Sequence, residues 1–384
     1  MIPGYSPFVL VAVVLGRAGA QEPMIQATVV AQTNYGWTTP AAPGGVEPSL
    51  GFVSQTRQLR LTEATFSLIG NWERAGFHVD GGSGDFYRLA MAGDSWKGPN
   101  RYISQAYVFG TPFSSLPIRI EAGKFFSSVG AEVPQSVQDF NTSRSLLFWY
   151  GSPLYHVGIR ASATITSKFT LGAQLLSGCN TTGGAHGHQT ATFTTAWTGK
   201  HWSWSQLYMG GNEKPVGRGW RHLSDAVITV SPFRKVAGYI ELLAAVETRV
   251  GSSSDRWYGV ATAWQVSPRE QWRFSPRLEW YNDVTGATTG HVQRLKELTF
   301  TAEYRPRKWF IARMEYRSDW TNRSYTHEDY RQDTRRKETM IAGITLLLSH
   351  GWNPKPKDST AAPAMAGARK GAGFPLDDGE FKEF

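Results

Sequence analysis

Charged residues in and around a polar segment, 127–153, are the first candidates for chemistry in this chain. The segment is rich in Ser, Gly and Asn and is flanked by stretches that also carry charge. The charged residues are Glu132, Asp139 and Arg144 within the segment, and Arg119, Glu121 and Arg160 in its flanks. Acidic and basic groups at this density can pair with each other. Where they surround water, they bias the choice among ions.

A hydrolytic site is the second kind of chemistry to consider, and its one candidate set is Ser143, Asn141 and His156. A hydroxyl nucleophile needs a base and an orienting group within hydrogen-bond reach. Lone residues of these types are common in polar loops, and no paired carboxylates accompany them. The sequence therefore predicts that the protein is not an enzyme.

A metal site is the third kind, suggested by Cys179, His186 and His188. A thiolate and a His-x-His pair in a Gly-rich stretch lack the fourth ligand that a closed zinc site requires. No Gly-rich phosphate-binding loop lies between a strand and a helix either. We expect no bound metal and no cofactor.

Strand-like alternation surrounds these residues and must position them. One face of each stretch is apolar, and the other carries charge or small polar groups. Glu297, Thr299, Thr301 and Glu303 interleave with Leu298, Phe300, Ala302 and Tyr304, and Arg313, Glu315 and Arg317 interleave with Ala312, Met314 and Tyr316. The pattern continues along the chain without a helix-period segment, so all-β structure is predicted.

The connections between these strands alternate between short and long. Short ones, with Gly, Pro or Ser at turn positions, are expected at 166–168, 198–201, 231–234, 267–269 and 305–308. Long ones are expected at 179–187, 210–219, 249–255, 283–290 and 319–336. Short turns at one end and long loops at the other are typical of outer-membrane β-barrels.

These observations predict a transmembrane antiparallel β-barrel of about sixteen strands, with short periplasmic turns and long extracellular loops. Lipid leaves no water for an open sheet edge, so such strands must close on themselves. Charged residues make up only 18% of the chain, which suits a surface in lipid. Merging or splitting the weak runs near Phe77 and Trp202 would give fourteen or eighteen strands.

The ends of the chain differ from the barrel in composition. Residues 1–20 are predicted to be a signal peptide, with an apolar core at 8–15 and the small residues Ala18-Gly19-Ala20 before the cleavage site. The barrel is expected over 21–352. Residues 353–384 are rich in Pro, Ala, Gly and Lys and are predicted to be a disordered tail. The barrel-insertion machinery is expected to read either Trp352 or Phe384.

Charge and cysteine content exclude two further classes of protein. The formal net charge is +9, but Lys and Arg are scattered singly along alternating strands rather than clustered, so nucleic-acid binding is not expected. Cys179 is the only cysteine, so the chain forms no internal disulfide.

The central stretch resembles the OmpL-like putative β-barrel porins of the bacterial outer membrane. The matching residues are QAYV at 105–108, EAGKF at 121–125, GAEV at 130–133, NTSRSLLF at 141–148 and PLYHVG at 153–158. Ala131 departs from the family, which more often has an aromatic residue before the Glu. The resemblance implies an outer-membrane barrel with a pore, and it offers no catalytic residues to carry over.

The position of segment 127–153 adds to this resemblance. If the first strand ascends, the segment is the third outer loop, which in sixteen-stranded general porins folds inward and narrows the pore. The residues then expected to line the pore are Arg119, Glu121, Glu132, Asp139, Arg144, Arg160, Arg313 and Glu315. Alternatively, the loop charges pair with each other and pin the loop to the wall, and both roles can hold together.

The sequence thus leads to the hypothesis of a porin for passive diffusion of small hydrophilic solutes or ions through a charged lumen. The alternative is a non-conducting receptor, adhesin or structural barrel. About sixteen strands leave an aqueous channel, whereas about eight would be filled by side chains, which favours the porin. Expected partners are outer-membrane lipid, the insertion machinery, small solutes and, by resemblance to general porins, two further copies in a homotrimer.

Overall fold

The computed structural model describes residues 24–39, 57–94, 98–182, 189–213, 218–249, 252–323 and 335–352. The predicted signal peptide (1–20), the predicted tail (353–384), His186, His188 and most of the predicted loop 319–336 lie outside these residues. Among the residues that are described, no helix has the length and apolar character needed to cross a membrane.

The described residues form sixteen antiparallel strands. In chain order they are β1 Met24–Thr39, β2 Leu59–Asn71, β3 Ala75–Ser83, β4 Ile103–Gly110, β5 Ile118–Phe126, β6 Tyr155–Thr166, β7 Phe169–Leu176, β8 Thr190–Thr198, β9 Trp202–Asn212, β10 Arg218–Phe233, β11 Val236–Arg249, β12 Ser252–Arg269, β13 Trp272–Asp283, β14 Gln293–Arg307, β15 Phe310–Thr321 and β16 Arg336–Trp352. A short helix, α1 (Asp85–Ala90), follows β3. The prediction of about sixteen strands is confirmed.

Each strand pairs with its neighbours in sequence, and β1 pairs with β16 to close the barrel. The closing register runs from Ile25 opposite Trp352 to Thr39 opposite Glu338 without interruption. Closure pairs the backbone groups that a membrane-embedded sheet edge would leave unsatisfied, so the described sheet has no free edge.

Burial along the strands is inverted relative to a water-soluble protein. On β14, Glu297 is 2% exposed and Thr301 is fully buried, whereas Phe300 is 46% exposed. On β15, Met314 is 59% exposed and its neighbour Glu315 is 2% exposed. Polar side chains therefore face the lumen and apolar side chains face outward, as a barrel in lipid requires.

The predicted short turns are confirmed, and one predicted long connection is wrong. Short turns join β6 to β7, β8 to β9, β10 to β11, β12 to β13 and β14 to β15, and the segment between β5 and β6 is long. The long loop predicted at 249–255 is wrong. Strand β11 ends at Arg249 and β12 begins at Ser252, and these two residues pair. Polar residues such as Asp255 belong to the ladder there, since lumen-facing strand positions are polar too.

A second difference lies after β3, where the sequence predicts a strand over 77–87. The strand ends at Ser83, and Gly84 adopts φ +103°, a left-handed conformation that glycine adopts readily. Helix α1 follows, and its Asp85 accepts hydrogen bonds from both Nε and Nη2 of Arg60 on β2. Phe86 and Tyr87 consequently point into the barrel as buried side chains instead of continuing the alternation.

Barrel closure should be sensitive to a methyl group at Gly343 of β16. A Cβ there would lie 2.0 Å from Oδ1 of Asn34 on β1, which is 1% exposed. We expect Gly343→Ala to lower the free energy of unfolding by about 1–3 kcal/mol, the usual cost of overpacking. Urea titration of refolded protein, followed by tryptophan fluorescence, measures this change.

Gly351→Ala on the same strand is the matched control, because its Cβ would approach nothing closer than 3.9 Å. The control should unfold at the wild-type urea concentration. Equal stability of both variants would contradict tight packing at the β1–β16 seam.

Candidate functional site

Residues 127–154, which join β5 to β6, cross the interior of the barrel. The Ser136 N–H donates to Oε2 of Glu63 on β2 at 3.1 Å, and the Gly130 N–H donates to Oδ2 of Asp225 on β10 at 2.9 Å. Strands β2 and β10 are eight positions apart in a ring of sixteen, so they stand on opposite walls. One loop contacts both.

Carboxylates on the β13–β15 wall accept hydrogen bonds from the loop backbone. Their contacts are Glu315 with the N–H groups of Thr142 (2.6 Å) and Ser143 (2.9 Å), and Glu279 with that of Leu146 (2.7 Å). Each of these loop residues is at most 1% exposed. A buried N–H without an acceptor costs free energy, so these carboxylates stabilise the loop inside the lumen.

Arginines on the same wall donate to the loop carbonyl groups. Their contacts are Arg277 with the carbonyl of Ser143 (2.7 Å), Arg313 with that of Ser136 (2.8 Å) and Arg317 with that of Arg144 (2.7 Å). The same guanidinium groups pair with strand carboxylates, for example Arg313 with Glu303 at 2.8 Å. Each arginine is thus held on the wall while it binds the loop.

The loop also contains its own ion pair. Nη1 of Arg144 lies 3.0 Å from Oδ2 of Asp139, and Nη2 donates to the carbonyl of Pro134 at 2.8 Å. Arg144 is fully buried. Burial raises the pKa of the Asp139 carboxyl to about 8, while the Arg144 guanidinium acts in the opposite direction.

Apolar packing fixes the second half of the loop. Leu146 and Leu147 are almost fully buried, and the Phe148 and Trp149 rings lie 6.3 Å and 6.1 Å from the ring of Phe86 on α1. The connection between β3 and β4 therefore packs against the connection between β5 and β6. Together they fill part of the lumen.

A cavity remains between residues 127–139 of the loop and the wall formed by strands β5 to β11. It holds about 1290 Å³ of space, which includes open solvent, and this is enough for many water molecules at about 30 Å³ each. The wall side is lined mainly by small neutral polar side chains: Thr170, Gln174, Thr194, Ser205, Gln206 and Thr229.

Two arginines and one carboxylate form a charged group on the β5 and β6 side of this cavity wall. Nε of Arg119 donates to Oε1 of Glu121 at 2.7 Å, and Nε of Arg160 donates to Oε2 of the same carboxylate. The guanidinium groups lie over the rings of Phe109 (3.7 Å) and Phe125 (4.2 Å). No described residue accepts a hydrogen bond from their terminal Nη groups, so these donors face the cavity.

Comparison with protein families identifies the chain. The model of the family described as "Putative beta-barrel porin-2, OmpL-like" matches residues 27–348, which is nearly the whole barrel. The chain belongs to this porin family. The predicted family resemblance is confirmed, and with it the location of the protein in the outer membrane. No curated protein matches the sequence.

Solved structures similar to this porin are outer-membrane proteins. The anion-selective porin from Comamonas acidovorans has a TM-score of 0.62 at 10% identity, covering 85% of this chain and 100% of its own. OmpT of Vibrio cholerae has a TM-score of 0.57 at 9% identity, with coverages of 86% and 99%. The channel DcaP of Acinetobacter baumannii has a TM-score of 0.53 at 12% identity, with coverages of 86% and 99%. At these identities the likeness shows the fold.

The eight charged residues singled out from the porin's sequence occupy two environments. Five of them line the cavity: Arg119, Glu121, Glu132, Asp139 and Arg160. The other three, Arg144, Arg313 and Glu315, are buried between loop and wall and are not among its lining residues. The sequence therefore grouped residues that face water with residues that hold the loop.

The expected pairing across the cavity also differs from the observed contacts. As a pore-lining residue of the inward loop, Glu132 would face Arg119, Glu121 and Arg160 across water, but its Oε1 pairs with Nη1 of Arg277 on β13 at 2.7 Å. Arg277 is fully buried, and it forms a second pair with Glu297 at 3.0 Å. The loop carboxylate turns toward β13 because the Arg277 guanidinium has enough N–H donors to bind it together with Glu297 and the carbonyl of Ser143.

Sequence reasoning missed several residues that hold the loop: Glu63, Asp225, Glu241, Arg277, Glu279 and Arg317. Each lies on the polar face of an alternating strand, so the pattern indicated that they face the lumen. Their loop partners follow from barrel register, which a single sequence does not specify.

The structure does not bring the hydrolytic candidates together. The His156 ring contacts the hydroxyl of Ser127 at 3.1 Å and the Gly178 carbonyl at 3.0 Å, while the Ser143 hydroxyl accepts from Arg277. Burial raises the pKa of the Cys179 thiol well above its usual range, so this side chain is a thiol at neutral pH. A nucleophilic or metal-binding cysteine requires the thiolate.

Glu315→Gln should loosen the loop without opening the barrel. The amide has one acceptor oxygen where the carboxylate uses two, and its NH₂ group would face a backbone N–H. Leaving a buried donor unsatisfied costs about 1–3 kcal/mol, which corresponds to roughly ten- to hundredfold faster local opening. Hydrogen–deuterium exchange of peptides covering 136–148, measured by mass spectrometry, reports this opening.

Glu338→Gln is the control, since this carboxylate is partly exposed on β16 and pairs only with Arg336 among the described residues. Its exchange over 136–148 should match that of wild type. If Glu315→Gln also exchanges at the wild-type rate, Glu315 is not an anchor of the loop.

Proposed function

We propose that this porin is a passive diffusion channel for small hydrophilic solutes and ions, and that the loop 127–153 narrows its charged lumen. The observation that supports the proposal is the cavity between the loop and strands β5 to β11, which the neutral polar side chains of the wall keep wettable. The solute gradient drives transport, and the protein supplies a polar path through the membrane.

Charge on the two sides of the cavity favours a selective constriction. Arg119 and Arg160 stand on the wall around one carboxylate, Glu121, which gives this group an excess of one positive charge. Glu132 and Asp139 lie on the loop side of the same cavity. Opposed charges in a narrow aqueous site create a transverse field that orients dipolar solutes and biases ion choice.

The eight predicted residues take different parts in this proposal. Arg119, Glu121 and Arg160 line the path and act on solutes directly. Glu132 and Asp139 also line it, but their carboxylates pair with Arg277 and Arg144 and so help to hold the loop. Arg144, Arg313 and Glu315 hold the loop in place and so set the width of the path. The sequence led to two hypotheses for these eight residues, pore lining and loop anchoring. In this proposal each hypothesis applies to some of the residues.

A non-conducting receptor or structural barrel is the second candidate function. The extent of loop packing favours it: the side chains of residues 139–148 are all buried. These residues are hydrogen-bonded to three strands of the far wall, through backbone N–H groups to β13 and β15 and through the Asn141 side chain to β14. A barrel that blocks solutes needs such packing across the whole cross-section of its lumen. The cavity between the loop and strands β5 to β11 favours the channel over this alternative.

The proposed partners follow from the fold. Outer-membrane lipid covers the exposed apolar side chains, and the insertion machinery assembles the barrel. Vibrio cholerae OmpT, a protein of the same fold, has been solved in a trimer form, and we extend this assembly to the present porin.

Current across a planar bilayer tests the proposal. Refolded protein comprising residues 21–384 should give discrete, ohmic current steps. A folded barrel that gives no steps would contradict the channel and favour the receptor or structural alternative.

The same recording tests the role of the two cavity arginines. The Arg119→Gln/Arg160→Gln double variant should shift the reversal potential under a salt gradient toward cations, because two positive charges leave the narrowest aqueous part. Arg336→Gln at the edge of β16 is the control and should leave the reversal potential unchanged. A double variant with the wild-type reversal potential would remove these arginines from the selective path.

A further inference from the structure

Two carboxylates on neighbouring strands, Asp225 on β10 and Glu241 on β11, share an unusual environment. In the ladder, Asp225 pairs with Leu243 and Glu241 with Val227, so the two carboxylates are diagonal neighbours on the inner face. The loop holds one oxygen of each. The Gly130 N–H donates to Oδ2 of Asp225 at 2.9 Å, and the next N–H, of Ala131, donates to Oε2 of Glu241 at 3.0 Å.

The second oxygen of each carboxylate has no partner. Asp225 Oδ1 and Glu241 Oε1 are buried without a hydrogen bond, and the same holds for the hydroxyl of Ser152 near the other end of the loop. The three residues are 3%, 1% and 9% exposed. Among the described residues neither carboxylate has an ion-pair partner, although Glu132 and Asp139 close by each pair with an arginine.

Two of these unpartnered oxygens border a small space at Gly130, and the Asp225 carboxylate binds the N–H of the same residue. A Cβ built on Gly130 would lie 3.3 Å from Oε1 of Glu241 and 3.7 Å from the Ser152 hydroxyl. Gly130 adopts φ +90°, which disfavours any residue with a side chain, so the space stays open. Asp225 and Gly130 also line the cavity between loop and wall, so an ion could reach the space from the lumen.

We propose that Asp225, Glu241 and Ser152 bind a divalent cation, with Ca²⁺ as the best fit. Two buried carboxylates without a counter-charge are strongly unfavourable, and a cation between them removes this penalty. Ca²⁺ takes six to eight oxygen ligands in flexible geometry, and it accepts carboxylate, hydroxyl and water oxygens together. The described residues contain no group of three or more His, Cys, Asp or Glu side chains placed for a metal, so the neutral ligands are needed here.

The cation would connect both ends of the loop to the barrel wall. Residue 130 lies near the start of the loop and Ser152 near its end, while Asp225 and Glu241 belong to two strands. Removal of Ca²⁺ should therefore loosen the loop around Gly130 and Ser152, while the Glu132–Arg277 pair still holds the adjacent part of the loop to β13. This inference does not depend on conduction.

A shared proton is the rival occupant, because protonation also removes the charge repulsion between two close carboxyl groups. The two occupants differ in their response to added Ca²⁺. A cation site binds it saturably, whereas a protonated pair does not respond.

Calorimetric titration of Ca²⁺ into refolded, chelator-treated protein in detergent tests the proposal. Wild type should bind one Ca²⁺ saturably, and its thermal unfolding midpoint should rise with Ca²⁺ concentration. Asp225→Asn/Glu241→Gln should lose both responses. Ser152→Ala, which removes one neutral ligand and disturbs the barrel less, should weaken binding several-fold.

Glu338→Gln is the control, because this carboxylate pairs with Arg336 on β16 and is not among the residues that line the cavity. Its Ca²⁺ affinity should equal that of wild type. Wild-type protein without saturable binding would overturn the proposal, and so would unchanged affinity in both the double variant and Ser152→Ala. An infrared band of protonated carboxyl that persists in wild type under Ca²⁺, and disappears in the double variant, would assign the pair to a proton instead.

Discussion

A loop that crosses the inside of a barrel must find partners for its backbone N–H and C=O groups, and this constraint governs the rest of the structure. Backbone groups removed from water are almost always hydrogen-bonded. In this protein the side chains of the opposite wall provide the partners: Glu315 and Glu279 accept from loop N–H groups, and Arg277, Arg313 and Arg317 donate to loop carbonyls. The charged inner face is therefore first a binding surface for the protein's own loop.

The same constraint explains why the lumen is asymmetric. Charged residues are concentrated on β13 to β15, where the loop is packed, and those arginines and carboxylates also neutralise each other. Strands β7 to β9 carry Thr, Ser and Gln on their inner face, and the cavity lies there. These small neutral side chains make few contacts with the loop, such as that of Gln174 with the Ser128 hydroxyl at 3.3 Å, and they leave space on that side. The proposed solute path follows the side that the loop leaves open.

The architecture was predictable because it depends on local periodicity. Alternation along residues 297–304 and 312–317 indicates which side chains face the lumen, and the length of segment 127–153 distinguishes it from the short turns. The start of α1 was harder to predict from the sequence, because Gly81, Gly82 and Gly84 are compatible with a weak strand. Its helical turn is favoured by the contact of Asp85 with Arg60 on another strand.

The roles of individual charged residues were not predictable in the same way. Glu132 and Arg277 form an ion pair although 145 positions separate them in sequence. Such a pair depends on the register of sixteen strands and on the path of the loop, and a single sequence specifies neither. The family resemblance located the segment that carries Glu132 and Arg144. It did not indicate which charged side chains of this segment face water. Arg160 faces the cavity and Arg144 does not, although both are arginines in or beside the same loop.

Thiol modification during single-channel recording tests most directly whether solutes pass between the loop and strands β5 to β11. Thr194→Cys would place a thiol on the cavity wall of β8, and Thr299→Cys would place one under the loop on β14, in a background carrying Cys179→Ser. A charged thiol reagent should reduce the current of Thr194→Cys and leave that of Thr299→Cys unchanged. A reduction confined to Thr299→Cys, or no change in either variant, would contradict this path.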